Sequence, residues 1–260
     1  GADTTKKSNV RNSITVTNPS QSYGGKDAPS NEEIRNMIKF ITASQNRCVT
    51  LNDYYARIIQ MPAKYGTPFR VGVVEENNKI VVYALGLDYT GTLTSILSET
   101  VANNIKNYLS KYKMINDIIE VRSGRVINVA FDIDIYVDPA YDHNDVSRNI
   151  INLVNDYMDA RRRFMGEDIF LGDLEKEISK LDGVVNLIEL RCYNRVGNGY
   201  SDDEITQPLV SDNTNASTAF DGTQVDLSSS DKTLFSDAGS MFEIKFVNRD
   251  IRVNVKQRNN

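Results

Sequence analysis

The stretch Val126-Ile127-Asn128-Val129-Ala130-Phe131-Asp132-Ile133-Asp134-Ile135-Tyr136-Val137 decides the fold. Ile127, Val129, Phe131, Ile133, Ile135 and Val137 alternate with Asn128, Ala130, Asp132, Asp134 and Tyr136. A period of two places these sets on opposite sides of an extended chain. The stretch therefore reads as a β-strand with one buried face and one at least partly wet.

Pro139 stops this strand, and Asp145 is expected to open a helix whose Val146, Ile150, Leu153, Val154 and Tyr157 form an apolar stripe. Arg161-Arg162-Arg163 falls at the expected helix end, where positive charge complements the dipole. A second helix over about 172–181 buries Leu174, Ile178 and Leu181, and Asp182-Gly183 closes it with a left-handed glycine. Val184–Cys192 is the returning strand, so the unit reads β-α-α-β.

Upstream, residues 1–30 are rich in Ser, Thr, Asn, Lys and Gly and read as a polar arm with one short strand at Ile14–Thr17. Ser30 or Asn31 caps an expected helix carrying Ile34, Met37, Ile38 and Ile41 at helical spacing. Thr50-Leu51-Asn52-Asp53 resembles a capping box for a short helix ended by Pro62. Phe69–Glu75 and Lys79–Gly86, split by Glu76-Asn77-Asn78, read as a hairpin. A helix over about 96–112 with Leu97, Val101, Ile105, Leu109 and Tyr112 on one stripe follows, then a strand at 117–122.

Downstream, residues 197–240 gather Ser, Asp, Asn, Thr and Gly and read as an irregular segment or a lightly packed extension. Phe242, Ile244 and Phe246, and then Ile251, Val253 and Val255, alternate with polar residues around Asn248-Arg249-Asp250, the pattern of a β-hairpin. The fold class is α+β, with two consecutive small modules of helices on antiparallel or mixed sheets. The expected divisions are a polar arm at 1–30, modules at 31–122 and 123–196, and a β-rich C-terminal extension at 197–260.

The 260 residues suffice for two ordinary domains. Thirty basic against thirty-five acidic residues give a net charge of −5, which removes the long-range attraction to phosphate that nucleic-acid proteins usually show. No apolar run approaches the length of a membrane span. Cys48 and Cys192 stand in separate apolar contexts, which fits buried thiols better than a disulfide framework or a zinc site. The start Gly1-Ala2-Asp3, with no initiator Met and no leader pattern, reads as a fragment of something longer.

Chemistry-bearing patterns are sparse. His143, the single histidine, lies at a helix entry, and no G-x-S-x-G elbow accompanies it. Asp132, Asp134, Asp138, Asp142 and Asp145 form one acidic cluster, and carboxylates at alternate strand positions can share a divalent metal. The competing reading is the polar face of an amphipathic strand, and Tyr136 stands where an EF-hand needs an oxygen ligand. Gly24-Gly25-Lys26 and Gly197-Asn198-Gly199 lack phosphate-loop spacing, and Ser123–Ile127 lacks the aromatics of an RNA-recognition strand. Asn215-Ala216-Ser217 fits a glycosylation sequon.

Two stretches resemble the phage baseplate J-like family. The first is Asn46-Arg47-Cys48-Val49-Thr50 followed by Asp53-Tyr54-Tyr55-Ala56-Arg57. The second runs from Arg125–Asp138 through Tyr141–Asp145, Val146–Arg163, Gly166-Glu167-Asp168 and Leu174–Leu181 to Asp182-Gly183-Val184-Val185. The resemblance covers about residues 31–195 and lies in order and spacing. It implies a structural subunit of a contractile tail baseplate wedge, carried in the virion and assembled in the bacterial host cytoplasm. Such a subunit self-associates as a homodimer or ring and binds neighbouring wedge proteins around the hub. It implies no catalysis, cofactor, metal, small-molecule substrate, nucleic acid or membrane insertion. The expected interface residues are Phe242, Ile244, Phe246, Ile251 and Val253, whose apolar face suits the chain's own core more readily still, since any intramolecular sheet shows such a face. The alternatives are a metal-dependent phosphoryl-transfer enzyme using Asp132 and Asp134, and a nucleic-acid-binding module using Arg161–Arg163.

Overall fold

The computed structural model describes residues 47–210, 222–228 and 231–256, with the separate positions 6, 31, 34, 35 and 38. The expected strand at 14–17 and most of the expected helix at 31–41 lie outside the described residues. Asn31, Ile34, Arg35 and Ile38 are helical.

Helix α1 (Leu51–Ile59) begins at the capping box expected for it. Thr50 Oγ1 accepts the Asp53 N–H at 3.3 Å, and Asp53 Oδ2 accepts the Thr50 N–H at 2.8 Å. Such a cap is worth about 1 kcal/mol. Strands β1 (Arg70–Glu76) and β2 (Lys79–Leu87) form the antiparallel hairpin. Its turn holds Asn77 and Asn78 at φ 50° and 64°, the left-handed pair that a type I′ turn requires and asparagine tolerates. After β3 (Leu93–Thr94), helix α2 (Glu99–Leu109) leads to β4 (Ile119–Ser123), which lies parallel to β2. Both helices cover one face of this four-stranded sheet, burying Tyr54, Ile58, Val71, Val82, Ile105 and Leu109.

Beyond Gly124 comes β5 (Arg125–Val137), the strand the alternation decided. Then follow α3 (His143–Tyr157), β6 (Ile169–Phe170), α4 (Leu171–Ser179) and β7 (Val184–Arg195), the expected β-α-α-β order with one unexpected two-residue strand, β6, between the helices. The remaining elements are β8 (Leu209–Val210), β9 (Thr223–Val225), β10 (Thr233–Leu234), β11 (Ser240–Glu243), α5 (Val247–Asp250) and β12 (Ile251–Lys256). β5 is the spine of a six-stranded sheet: β7 pairs antiparallel on one side, and β11 then β12 pair parallel on the other. Its apolar face meets α3 and α4 in a core containing Phe131, Ile133, Ile150, Val154 and Leu174. The fold is α+β.

Four local expectations are corrected. The 242–255 segment is not a hairpin, because β11 and β12 each pair with β5 and not with each other. A four-residue helix, α5, turns the chain so that both strands run the same way along one spine. The described part of 197–240 is not lightly packed, since Ile205, Val225 and Leu234 are buried in the main core. Helix α3 opens at Asp142, whose carboxylate accepts the N–H groups of Asn144 and Asp145, so the opening lies ahead of Asp145. It ends at Tyr157, short of Arg161–Arg163, although Arg163 Nε reaches back to donate to the Tyr157 carbonyl at 3.1 Å.

The two sheets meet along a tight joint. Leu85 of β2, Val126 of β5 and Met241 of β11 pack together there. Gly124 lies so close to Leu85 and Met165 that a Cβ would stand 2.8 Å and 2.5 Å from their atoms. Buried Arg70 of β1 donates from Nε and Nη2 to the carbonyls of Arg163 and Arg161, at 2.8 and 2.7 Å. A polar side chain of one sheet thereby satisfies backbone left over by the loop of the other.

Candidate functional site

Asp132 and Asp134 stand on the polar face of β5, both buried, as the alternation requires. The same face receives Arg191 and Glu189 from β7, opposite Asp132 and Asp134, and Asn254 and Lys256 from β12. Arg191 Nη2 lies 2.7 Å from Asp132 Oδ2 and 3.3 Å from Asp134 Oδ2, while Nη1 lies 2.5 Å from Glu189 Oε2. Asn254 Nδ2 donates to Asp132 Oδ1 at 2.6 Å and to Asp134 Oδ1 at 2.8 Å, and Lys256 Nζ sits 3.5 Å from Asp134 Oδ2.

Every oxygen of the two carboxylates thus faces a donor from a neighbouring strand. Burial works against the charge of Arg191. The hydrogen bond to Asp132 and the fields of Asp132, Asp134 and Glu189 outweigh it and hold the guanidinium above its usual pKa. A divalent ion would have to displace that cation and break the Asn254 bonds. Among the described residues, no group of three or more His, Cys, Asp or Glu side chains is arranged to hold a metal. Chemically, the arrangement is a cross-strand ionic network that fixes the register of three strands. Alternation alone could have paired Glu189 with Arg191 on one face. The part played by Asn254 depends on the parallel pairing of β12, which no local pattern announces.

The other expected site residues scatter. Phe242 and Ile251 are 2% and 3% exposed in the main core, and Ile244 and Val253 pack against it half-buried. Phe246 is 41% exposed, with its ring edge-on to Tyr200 at 5.5 Å and the Arg249 guanidinium 5.1 Å from its centroid. Four of the five therefore serve the chain's own main core, and Phe246 stands apart from them. Arg161 and Arg162 are exposed. Arg163 lies over the Tyr157 ring at 4.5 Å and pairs with Glu167. His143 is an exposed first residue of α3. Cys48 and Cys192 are buried free thiols, and burial pushes Cys48 up to about 11. They are brought to no common site, one belonging to each core.

A groove of about 390 Å³ runs beside the outer part of β7, lined among others by Glu175, Ile188, Leu190, Val210 and Leu227. The pairing of β7 with β5 skips Ile188 and Val185, which are bulge positions, and both side chains are exposed. Bulges bend and twist a strand and so discourage continuous strand addition along its edge.

Several apolar side chains near one end of the first sheet are also exposed. Cys48 N–H donates to the Tyr112 carbonyl at 2.8 Å, Tyr54 bonds Asp117, and Ile80 N–H donates to the Ile118 carbonyl at 2.8 Å. These bonds bring Val49 and Leu51 beside the 112–118 turn, whose Met114, Ile115 and Ile118 are also exposed. Ile115 is 97% exposed and Val49 62%. Sequence reading missed this patch because Met114, Ile115 and Ile118 have neither a helical nor a strand period.

No known family profile matches the sequence, and no curated protein does. Among solved structures, one chain in the cryo-EM structure of the anti-feeding prophage baseplate, 6-fold symmetrised, is similar to this chain with a TM-score of 0.47 and 14% identity. That match spans 66% of this chain and 39% of that one.

Proposed function

We propose that this chain is a structural subunit of a contractile phage tail baseplate. It belongs to the wedge, self-associates as a homodimer or ring, and binds neighbouring wedge proteins around the hub. The ring persists while the baseplate rearranges on host contact. In this reading 1–30 is an arm, 31–122 and 123–196 are the two modules, and the residues after 196 complete the second sheet. The subunit is assembled in the bacterial cytoplasm and carried in the virion.

One observation carries the reading. The order that the family resemblance implies is strand, polar turn, helix, Gly166-Glu167-Asp168, helix, Gly183 and returning strand, and it is built between Arg125 and Arg195 as one contiguous layer. Gly183 has φ +87°, where a Cβ would meet Val146 at 2.8 Å and Tyr141 at 2.9 Å. The Asp-Gly of the resemblance is therefore a close backbone approach and not merely a helix stop. The acid pair within this layer is bonded to Arg191 and Asn254, which favours a structural reading of the strand over the metal-dependent one.

The test is co-expression of the full chain with the other tail proteins encoded beside it, followed by pull-down and solution mass. Recovery with a second wedge protein at fixed stoichiometry is the expected result. A chain that stays monomeric and captures none of them would refute the proposal. A manganese titration of the full chain, followed by thermal unfolding, addresses the enzymatic alternative: a stabilisation that Asp132→Asn abolishes would favour it.

A further inference from the structure

We infer that residues 231–243 act as a clasp that makes the two sheets one cooperative unit, so that neither opens or unfolds without the other. The clasp lies within a single chain and stands apart from the partners in the proposed function.

Covalently, the two sheets are joined through one residue. β4 ends at Ser123 and β5 begins at Arg125, which leaves Gly124 as the link. Glycine has the widest backbone freedom of any residue, so this link alone would act as a hinge. Residues 231–243 supply a second connection from far along the chain.

Both ends of this segment are built into the second sheet and its surroundings. Thr233 and Leu234 of β10 pair with Phe170 and Ile169 of β6, and β11 pairs parallel with the start of β5. Leu234 is buried in the main core. Between the two strands, the Ser236 N–H donates to Asp168 Oδ1 at 2.7 Å, and the Gly239 carbonyl accepts the Arg125 N–H at 2.8 Å.

The middle of the segment presses on the first sheet. Gly72 of β1 and Tyr83 of β2 are partners in register, and they alternate with Val71, Val82 and Ala84, which belong to the core under α1 and α2. The 238–239 turn therefore lies on the face that those helices leave open. Neither side of this contact has room for a methyl group. A Cβ at Gly72 would stand 2.2 Å from the Ala238 carbonyl oxygen, and one at Gly239 would stand 2.8 Å from the Tyr83 ring. Beyond the turn, Met241 packs with Leu85 and Leu93, and Glu243 accepts the Leu93 N–H at 2.6 Å. A motion that parts the sheets must expose Met241, break the Glu243 bond and pull the turn off β1 and β2 together, or else tear β10 and β11 from their own partners.

The experiment is native-state hydrogen exchange on the full chain in rising denaturant, read by mass spectrometry on peptides covering β2 and β5. One cooperative unit predicts that the slowest amides of both strands exchange through the same opening, with equal dependence on denaturant. Gly239→Ala, which forces a methyl against Tyr83, should speed that exchange about tenfold or more in both strands alike. Asp168→Ala, which takes the acceptor from the Ser236 N–H, should speed both strands by a common, smaller factor, and it carries the comparison if Gly239→Ala does not fold. Exchange of β2 through an opening that leaves β5 protected overturns the inference, as does a variant that speeds one strand and spares the other. Unchanged exchange in Gly239→Ala also overturns it, since the turn would then yield without loosening the sheets.

Discussion

The Glu243 carboxylate of β11 accepts the backbone N–H of Leu93 at 2.6 Å, joining the two sheets across 150 residues of sequence. Its other oxygen accepts from Asn128 Nδ2 at 3.1 Å, and Glu243 is only 6% exposed. Burial pushes its pKa above the ordinary value of 4.5, the fields of Lys245 and Asp88 oppose each other, and the two hydrogen bonds only partly offset burial. The folded chain therefore holds a proton at Glu243 more tightly than the unfolded chain does. By linkage, this group's contribution to stability is fully present below about pH 4.5 and is lost as pH rises through the folded value. The stability difference between wild type and Glu243→Gln, measured by urea unfolding from pH 7.5 to pH 5, should shift in favour of wild type on acidification. A difference independent of pH would show that Glu243 titrates in the folded chain as it does in the unfolded one.

The cross-strand network on β5 predicts an asymmetry. Arg191→Met leaves Asp132 and Asp134 charged and buried without their guanidinium, at a cost of about 2–3 kcal/mol, below the range for a fully sealed ion pair because Arg191 is partly wet. Adding Asp132→Asn and Asp134→Asn removes the two carboxylates, which would otherwise keep only Asn254 and the half-exposed Lys256 as partners, and should recover much of that loss. Chemical denaturation of the three chains reads this out. A triple variant no more stable than Arg191→Met would show that the network contributes through packing and not through charge.

What was legible in the sequence follows from which forces are local. The spine strand, the Asn77-Asn78 turn and the Thr50–Asp53 cap each depend on neighbours a few residues away. Periodicity and turn chemistry found all of them. The 242–255 segment failed because alternation reports one buried face and says nothing about the partner strand. A hairpin and two parallel additions to β5 need the same pattern of side chains. The acid pair was legible as a cluster but not as a satisfied one, since Asn254 reaches it from 120 residues away. The Val49–Ile118 patch had no period to betray it, because turns and helix entries assemble it.

Two glycines should respond oppositely to the same added methyl. At Gly72 a Cβ would stand 2.2 Å from the Ala238 carbonyl oxygen, so Gly72→Ala must push β1 and the 238–239 turn apart, costing about 1–3 kcal/mol. At Gly172, an exposed helical position with nothing near its missing Cβ, Gly172→Ala should stabilise by about 0.5 kcal/mol through reduced freedom of the unfolded chain. Thermal unfolding of both variants would show the midpoint fall in one and rise in the other. A tolerated Gly72→Ala would mean that the joint between the sheets yields easily.

Phe242 and Phe246 lie on opposite sides of the question of what the C-terminal strands are for. Phe242, 2% exposed and facing Ile127 in register on β5, is enclosed by core side chains, so Phe242→Ala should cost about 3–5 kcal/mol whatever the chain's association state. Phe246, half in solvent, meets only Tyr200 and Arg249 among the ring contacts described for it, and Phe246→Ala should cost about 1 kcal/mol or less. If these strands served a partner surface with Phe242 as an anchor, Phe242→Ala would weaken association while leaving the dilute monomer's unfolding midpoint intact. The buried position of the ring demands the reverse order, so unfolding at low concentration, below any self-association, separates the two.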